Sequence, residues 1–484
     1  MAEIKTKNFL ASSQMAIKDP QLRQALEKVG TGFDGARREA IEEISEAKWE
    51  EWRLKAREIK EHTIENLDYY LDMLYTNVTK AGGHVHFARD DNEANAIVSK
   101  LVEANNIQIA TKSKSMVSEE LGLNGVLESL GVDVYETDLG EYIIQLAGET
   151  PSHLVAPALH KTKGQVASLF QDKLGIPYNE DIEAMAKTAR EILRDKFLNA
   201  DLGISGANFL VAETGSLVII TNEGNGRLCT SAPRIHIGIT GMEKVIPSLE
   251  DLATFLRLLP RSATGQRLTS YVSIVTGPRR VTDEDGPEQF HLIIVDNGRS
   301  KMLADPKLRE ALYCIRCGAC LNICPVYQKV GGHAYGWVYP GPIGSIVTPN
   351  LTVLQNAKDL PFASSLCGAC REACPIKINI PRMLLNLREE LVQPNSNANS
   401  TSKFSEDIAA KSYTKLMKHP GILKLGTMIL TGLQKPFLKG GVISSVPIPP
   451  LSIWTRSRDL PKLPDKTFHQ IWKDSLKDNQ DNNG

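Results

Sequence analysis

The stretch "ALYCIRCGACLNICPVY" (residues 311–327) holds four of the eight cysteines of this 484-residue chain. A second stretch, "SSLCGACREACPIKINIP" (364–381), holds three more. In both, the cysteine run ends in a Cys-Pro pair, so the second stretch is a repeat of the first with one cysteine missing. Cysteines clustered in this way within a long chain indicate metal ligands and not a disulfide framework.

The first motif has the spacing Cys314-x2-Cys317-x2-Cys320-x3-Cys324-Pro. Proteins that bind two iron–sulfur clusters use this spacing: the first three cysteines hold one cluster and the fourth holds the other. The alternative is structural zinc, which usually takes two separated pairs of ligands that form one tetrahedron. Four cysteines at this spacing do not suit that arrangement, so we predict iron–sulfur clusters.

The second motif, Cys367-x2-Cys370-x3-Cys374-Pro, supplies three cysteines where a full set has four. If the last cysteine of each motif binds the cluster of the other motif (the crossover rule), one cluster has four cysteines and is complete, [4Fe–4S]. The other cluster is either [4Fe–4S] with a ligand other than cysteine or [3Fe–4S]. The predicted ligands are Cys314, Cys317, Cys320 and Cys374 for the first cluster, and Cys324, Cys367 and Cys370 for the second.

The missing ligand of the second cluster has several candidates. Ser364 falls on the first ligand position when the motifs are aligned on their Cys-Pro ends, although an alkoxide is a poorer match for iron than a thiolate. Ser365, a solvent hydroxide and His333 are the others. The eighth cysteine, Cys229, lies far away in the sequence, and we predict that it packs as a small apolar residue.

The segment between the motifs, "GGHAYGWVYPGPIGSIVTPN" (331–350), is rich in glycine and proline. Its composition predicts an irregular loop, whose aromatic residues Tyr335, Trp337 and Tyr339 shield the clusters from water. The segment after the second motif, "IPRMLLNLREELV" (380–392), carries a proline in its first turn and predicts a helix.

Outside the cysteine region the apolar pattern divides the chain. Helix formers dominate residues 20–80, with an apolar stripe through Trp49, Trp52 and Ile59. Short apolar strands then alternate with helical segments, which indicates α/β structure with a largely parallel sheet. The predicted divisions are an N-terminal helical segment (1–80), an α/β domain (81–298), an α-helical, ferredoxin-type two-cluster domain (299–393), a polar linker (394–403) and a C-terminal helical region (404–484) with a disordered tail, "KDNQDNNG".

The α/β domain lacks the glycine-rich motifs of nicotinamide-binding and P-loop proteins. Glu213 lies at a glycine-containing turn between two strands and is a candidate for a polar substrate pocket. The alternative is a hairpin turn with exposed polar residues, and no other catalytic residue is indicated. The run "KSKS" (112–115) is either an anion-binding helix start or a surface loop. His153 and His160 are predicted to be structural.

The charge balance and the chain's start bear on its location. The 57 acidic and 56 basic residues nearly cancel, which argues against broad attraction to nucleic acid or anionic lipid. The first twenty residues lack the basic and apolar regions of a secretory signal, and no apolar run approaches the ~20 residues that span a bilayer. We expect a cytoplasmic protein with no transmembrane segment.

Several long segments resemble the lactate utilization protein B family. They are "TKSKSMVSEELGLN" (111–124), "ETDLGEYIIQLAGETPSHLVAPALHK" (136–161), "GISGANFLVAETGSLVIITNEGNGR" (203–227), "GGHAYGWVYPGPIGS" (331–345) and both cysteine motifs. The resemblance extends over nearly the whole chain. It implies that the α/β region is a LUD domain with a NagB/RpiA/CoA transferase-like fold. Some CoA transferases use a Glu-x-Gly turn, and residues 213–215 have that form, which is an analogy at the level of the fold.

The resemblance also implies a function. We expect an iron–sulfur electron-transfer subunit of a complex that oxidises L-lactate to pyruvate. The implied partners are a cysteine-rich protein and a second LUD-domain protein, and the downstream electron acceptor stays unknown. Two alternatives remain open: the LUD domain itself binds and oxidises a small hydroxy acid, or the clusters serve as a redox sensor. The lack of a DNA-binding element counts against the sensor.

Overall fold

The structure is a computed structural model that describes residues 4–152, 156–393, 400–446, 452, 455 and 458–481. The chain divides into two compact units, Met1–Ser396 and Asn397–Gly484. The first unit contains both cysteine motifs and the α/β region. Each unit is described by itself.

The first unit opens with the helices Phe9–Lys18, Pro20–Glu42, Glu46–Glu65 and Leu67–Lys80. Capping side chains mark the start of the second and third of these helices. Asp19 caps the helix that starts at Pro20, and the Ser45 side chain accepts a hydrogen bond from the backbone of the helix that starts at Glu46. Of the predicted apolar stripe, Trp49 and Ile59 are buried and Trp52 is partly buried. The prediction of packing helices in this region is confirmed.

Ten strands follow. They are β1 (His84–Ala88), β2 (Ile109–Lys112), β3 (Asp133–Glu136), β4 (Leu202–Ser205), β5 (Phe209–Val211), β6 (Ser216–Thr221), β7 (Ile235–Gly241), β8 (Val245–Ile246), β9 (Tyr271–Val275) and β10 (Gln289–Val295). Six of them form a sheet in the order β1-β10-β7-β4-β2-β3, with every neighbouring pair parallel. The largely parallel sheet expected from the alternating pattern is therefore present.

A second, smaller sheet was not expected from the sequence. Its order is β8-β5-β6-β9, with β5 and β6 forming an antiparallel hairpin. The strands β4 and β8 also escaped prediction. Strand β4 has only four residues, all buried, so its sequence lacks the alternation of polar and apolar residues that predicts a half-buried strand. Strand β8 has two residues, which is too short for any such pattern.

Helices connect the strands and cover the sheets. They are Asp91–Ala104, Met116–Leu121, Leu123–Ser129, Leu139–Ala147, Lys163–Leu174, Ile182–Asn199, Asn225–Ser231, Leu249–Thr264 and Arg299–Ala304. The helical pattern of residues 115–131 is divided into two helices. Gly122 adopts a left-handed conformation with φ of 65°, which ends the first helix and begins the second.

The cysteine region consists of short helices and turns. Its α-helices are Ala319–Asn322, Tyr327–Val330, Gly341–Leu351, Ala369–Ala373 and Ile380–Val392. The predicted helix after the second motif is confirmed, with the Asn379 side chain capping it. The predicted irregular loop at 331–350 is wrong in its second half, because Gly341–Leu351 is a helix whose eleven residues are all buried. Pro342 lies in the first turn of this helix, where a backbone N–H has no partner within the helix. The burial of the helix outweighs the low helix propensity of its glycines and prolines.

The N-terminal helices and the cysteine region share one hydrophobic core. This core contains Trp49 from the helices, Phe255 from the α/β region and Ile343 from the buried helix. Arg53 adds polar contacts, since its guanidinium donates hydrogen bonds to the backbone oxygen of Cys374 at 2.8 and 3.1 Å. The segments predicted as separate domains are thus packed together within the first unit.

The second unit contains the helices Ser400–Lys418, Pro420–Leu433 and Phe468–Asp481, with a short antiparallel pair, β11 (Val442–Ile443) and β12 (Leu460–Pro461). The first of these helices begins inside the predicted linker, and residues 394–399 lie outside the described part of the chain. The last helix includes the first five residues of the tail predicted to be disordered. No helix in the described residues is long and apolar enough to cross a membrane.

Candidate functional site

The first cysteine motif is shaped by two left-handed residues. Arg316, between the first two cysteines, has φ of 60°, and Gly318, after the second, has φ of 79°. These turns wrap the loop before the helix Ala319–Asn322 begins. The backbone N–H of Arg316 donates to the sulfur of Cys314 at 3.4 Å. The loop is therefore folded around its own sulfur atoms.

The second motif repeats this conformation. Leu366 has φ of 56° and Gly368 has φ of 87°, at the positions of Arg316 and Gly318. The N–H of Leu366 donates to the Ser364 hydroxyl oxygen at 3.1 Å, which copies the bond to the first cysteine of the first motif. Ser364 is therefore the structural counterpart of that cysteine, with oxygen in place of sulfur.

Four cysteines from the two motifs line one small apolar cavity: Cys314, Cys317, Cys320 and Cys374. Isoleucines form much of the remaining wall. Burial raises the pKa of the Cys374 thiol to about 11, and the neighbouring Cys314 contributes to the rise. Buried thiols crowded in this way are poor thiolates alone, and a bound cation such as iron is what favours their deprotonation. This set of four sulfur donors fits an iron–sulfur cluster.

The remaining three motif cysteines form a second group. Burial raises the pKa of Cys370 to about 12, and the nearby thiols of Cys324 and Cys367 raise it further. Cys367 differs from the others because it is exposed. Its pKa is lowered, first by the backbone N–H of Ala369 and then by the Ser365 hydroxyl. This group lies nearer to the protein surface than the first.

His333 and the eighth cysteine, Cys229, make other contacts. The ring of His333 hydrogen bonds to the backbone oxygen of Thr150 at 2.7 Å and packs against His160, with ring centroids 4.7 Å apart. The structure therefore gives His333 a role in packing and not beside the cysteines. Cys229 is fully buried, and burial raises its pKa to about 12, as expected for a cysteine that packs as an apolar residue.

The aromatic residues between the motifs are buried, as predicted. Tyr335 and Tyr339 are almost completely inaccessible, and Trp337 is 9% exposed. Tyr335 packs edge-on against Phe9 of the N-terminal helices, with ring centroids 5.3 Å apart. These rings keep water from the interior of the cysteine region.

A cavity of about 460 Å³ lies between the α/β region and the first cysteine motif. We call it the central cavity. Its wall includes Ser113, Lys114 and Ser115 of the "KSKS" run, so that run faces a pocket and not open solvent. Lys112 is fully buried and forms ion pairs with Glu119 and Glu136 at 2.6 and 2.7 Å.

Glu213 does not line the central cavity. It is exposed at the turn of the β5–β6 hairpin, and its carboxylate accepts a hydrogen bond from the backbone N–H of Leu249 at 3.1 Å. Glu213 therefore matches the alternative interpretation of this turn and is not positioned as a pocket carboxylate. His160 bonds to Glu149 and Ser152, as expected for a structural histidine, and His153 lies outside the described residues.

Sequence reasoning missed the polar end of the central cavity. Arg316, Cys317 and Tyr339 of the cysteine region meet Glu243 and Lys244, which follow β7. These residues are far apart in sequence and follow no common motif. The one local signal was Arg316 itself, a large charged residue between two cysteines.

A buried ion-pair network supports this polar end. Arg299 binds the carboxylates of Glu120 and Glu243 at 2.9 and 2.6 Å. The hydroxyl of Tyr339 donates to Glu120 at 2.7 Å, and the guanidinium of Arg316 stacks 4.5 Å from the Tyr339 ring. Burial alone would raise the pKa of Glu243, yet Arg299 and Arg316 hold it at about 2. The Glu243 carboxylate is therefore charged, and both carboxylates are paired with Arg299.

Comparisons with known proteins agree with this arrangement. Residues 71–295 match the family model of the LUD domain, 310–378 that of the 4Fe-4S dicluster domain, and 386–477 that of the C-terminal region of lactate utilisation protein B. One solved structure, a DUF162 family protein from Deinococcus radiodurans, aligns with a TM-score of 0.28 and 12% identity over 47% of this chain and 98% of its own. That likeness carries no further conclusion.

Curated relatives cover nearly the whole chain. Lactate utilization protein B of Bacillus licheniformis is 45% identical over 97% of both chains. The proteins of that name from Shouchella clausii and Macrococcus caseolyticus are 45% and 44% identical over 96% and 98% of both chains. The chain is an iron–sulfur protein with a LUD domain, and it belongs to the lactate utilization protein B family.

Proposed function

We propose that this protein is the iron–sulfur electron-transfer subunit of a complex that oxidises L-lactate to pyruvate. The observation that carries the proposal is the division of the seven motif cysteines into two groups. One group is largely buried and reaches the central cavity at Cys317, and the other includes the exposed Cys367. A subunit that passes electrons to a partner needs one cluster near the source of the electrons and one cluster near the protein surface.

The ligands follow the crossover assignment. Cys314, Cys317, Cys320 and Cys374 hold a [4Fe–4S] cluster, and Cys324, Cys367 and Cys370 hold a second cluster, [4Fe–4S] or [3Fe–4S]. When bound, the clusters supply one-electron storage, and oxidation of one lactate releases two electrons and two protons. Ser364 is the candidate ligand from this chain for the remaining iron, because it repeats the local hydrogen bond of Cys314.

The proposal includes two partner proteins. A cysteine-rich protein and a second LUD-domain protein join this chain, and electrons leave toward an acceptor yet to be identified. Reduced thiolate ligands favour the cytoplasm as the location. The two-sheet α/β region fits a NagB/RpiA/CoA transferase-like ancestry for the LUD domain, although this carries no chemistry with it.

A second function is favoured by one observation. Cys317, a ligand of the first cluster in this proposal, lines the central cavity of the α/β region. A hydroxy acid bound there would lie beside the electron acceptor, and the chain would then be catalytic by itself.

One experiment separates the two functions. Anaerobically purified protein is mixed with L-lactate, first alone and then with the two partner subunits, and cluster reduction is followed by electron paramagnetic resonance. We expect reduction only in the presence of the partners. Reduction by lactate of the isolated chain would replace the electron-transfer role with the catalytic one. No reduction in the complete mixture would contradict both.

A further inference from the structure

The second unit contains a basic segment, residues 408–458, that has no acidic residue. Eight of the chain's 56 lysines and arginines lie in this segment, which leaves 48 basic against 57 acidic residues in the rest of the chain. The near-zero net charge of the whole chain therefore conceals a basic segment in an otherwise acidic protein. Attraction of this segment to an anionic surface is compatible with the balanced total.

The helix Ser400–Lys418 has a cationic side. Lys411, Lys415 and Lys418 are exposed and lie four and three residues apart, so they project from one side of the helix. Tyr413 and Met417 are also exposed and lie on the opposite side. The helix therefore carries cations on one side and apolar side chains on the other, which is the pattern of a helix at a boundary between water and lipid.

The next helix, Pro420–Leu433, exposes an aliphatic face. Five residues form this face, each more than half exposed: Ile422, Leu425, Ile429, Leu430 and Leu433. Their spacing of three and four residues places them in one stripe, about 16 Å long, and exposed apolar patches of this kind mark interaction sites. With fourteen residues the helix is too short to cross a bilayer, so the aliphatic face can only lie along a surface.

We propose that the second unit binds the surface of an anionic lipid bilayer, with the aliphatic face in the headgroup region and the lysines of the basic segment against the lipid phosphates. Aliphatic side chains enter the boundary between headgroups and acyl chains without a shaped groove. The lysines add attraction, because the leaflet carries one sign of charge and their long side chains reach it past the helix. The rest of the chain has an excess of carboxylates and is repelled, so contact is confined to the basic segment.

The combination of one sign of charge with an aliphatic face favours lipid over other occupants. A partner protein would need an apolar groove and a row of carboxylates at matching positions, whereas an anionic bilayer offers both at every position. Nucleic acid attracts the lysines but offers no apolar layer for the aliphatic face. The inference goes beyond the proposed function and does not depend on it, because lipid binding requires no cluster.

Co-sedimentation of the anaerobically purified full chain with lipid vesicles tests this surface. One set of vesicles is phosphatidylcholine alone, and the other contains equal parts of phosphatidylcholine and phosphatidylglycerol. We expect the protein to bind the anionic vesicles at least about tenfold more tightly than the neutral ones, and added salt to weaken that binding.

A pair of lysine variants tests the charge. Lys411→Gln combined with Lys415→Gln should weaken binding to the anionic vesicles by about tenfold or more, because each lysine near the leaflet contributes to the attraction. The matched control is Lys173→Gln combined with Lys187→Gln, two exposed lysines on helices of the first unit, and it should bind as wild type does.

A leucine variant tests the aliphatic face. Leu425→Gln should weaken binding to the anionic vesicles by about fivefold or more, since a buried leucine is replaced by a polar side chain. Leu198→Gln is the control, because Leu198 is 71% exposed on a helix of the first unit. Equal affinity for the two kinds of vesicle, no binding to either, or wild-type affinity in the lysine pair or in Leu425→Gln overturns the proposal.

Gel filtration and thermal unfolding then identify the true occupant of the aliphatic face if no vesicle binds. A dimer that Leu425→Gln dissociates assigns the face to a second copy of the chain. A monomer that Leu425→Gln destabilises assigns it to packing within the chain, and a monomer that the variant leaves unchanged assigns it to a partner protein. Each of these three results overturns the lipid surface, and none of them bears on the electron-transfer proposal.

Discussion

Ser364 and Cys314 show how one atom distinguishes two otherwise similar sites. Both precede a left-handed residue, and both accept a hydrogen bond from the backbone N–H two residues later. The backbone of the second motif is thus already shaped for a cysteine at its first position. An iron held there by oxygen or by solvent should be lost first, because no thiolate bond has to break.

The first prediction is that Ser364→Cys stabilises the second cluster. Mild oxidation of the wild-type protein should give the paramagnetic signal of a three-iron cluster, and Ser364→Cys should reduce that signal severalfold because a fourth thiolate retains the iron. Electron paramagnetic resonance measures the difference. Ser129→Cys, at an exposed position of a helix in the α/β region, is the control and should behave as wild type. An equally strong signal in both Ser364→Cys and wild type would show that this side chain does not reach the cluster.

The second prediction is that Glu213 stabilises the fold and takes no part in lactate oxidation, unlike the pocket carboxylate that its sequence context suggested. Its carboxylate accepts the backbone N–H of Leu249 at the start of the helix Leu249–Thr264. Glu213→Gln should therefore lower the free energy of unfolding by about 0.5–1 kcal/mol and leave lactate turnover by the assembled complex unchanged. Chemical denaturation and a turnover assay measure the two effects. A large loss of turnover at full iron content would return Glu213 to the active site.

At the scale of elements, the cysteine motifs and the long apolar strands could be predicted from sequence, because their signals are local. Cys314 to Cys324 define their own loop by spacing, and β7 and β10 are long apolar runs. The helix Gly341–Leu351 could not be predicted, since its residues favour loops and only burial makes it helical. The polar end of the central cavity had no local signal besides Arg316, because Lys244 and Arg316 meet only in the folded chain.

The third prediction tests this buried helix. A Cβ atom on Gly344 would lie 1.9 Å from the backbone oxygen of Tyr339, and backbone cannot move aside as a side chain can. Gly344→Ala should therefore destabilise the protein by at least about 3 kcal/mol and reduce its iron content. Gly125→Ala is the control, because that helical glycine has open space around it and alanine should be neutral or stabilising. Unchanged thermal unfolding of Gly344→Ala would contradict the close packing of this helix.

At the scale of the whole molecule, the N-terminal helices support the cysteine region. Arg53 is buried on the helix Glu46–Glu65 and donates hydrogen bonds to the backbone oxygens of Cys374 and Glu372. The backbone at Cys374, one of the ligands in the proposed first cluster, is therefore held by a residue 321 positions away in sequence. The shared core of Phe9, Trp49 and Ile343 reinforces this contact.

The fourth prediction is that Arg53→Met loosens the first cluster. Removing the guanidinium leaves buried carbonyl groups without donors, which should cost about 2–3 kcal/mol and speed the release of iron to a chelator. Lys55→Met, at an exposed position of the same helix, is the control and should not change the rate. The rate of iron release, followed by absorbance, measures the effect. Equal rates in the two variants would mean that the helix does not support the ligand loop.

The most direct test of the electron-transfer proposal is the metal and sulfide content of anaerobically purified protein. Two clusters held by the seven motif cysteines predict about seven to eight irons per chain, with about eight acid-labile sulfides. Elemental analysis with a sulfide assay gives both numbers on one sample. Stoichiometric zinc without labile sulfide would contradict the cluster assignment and the electron-transfer function that depends on it.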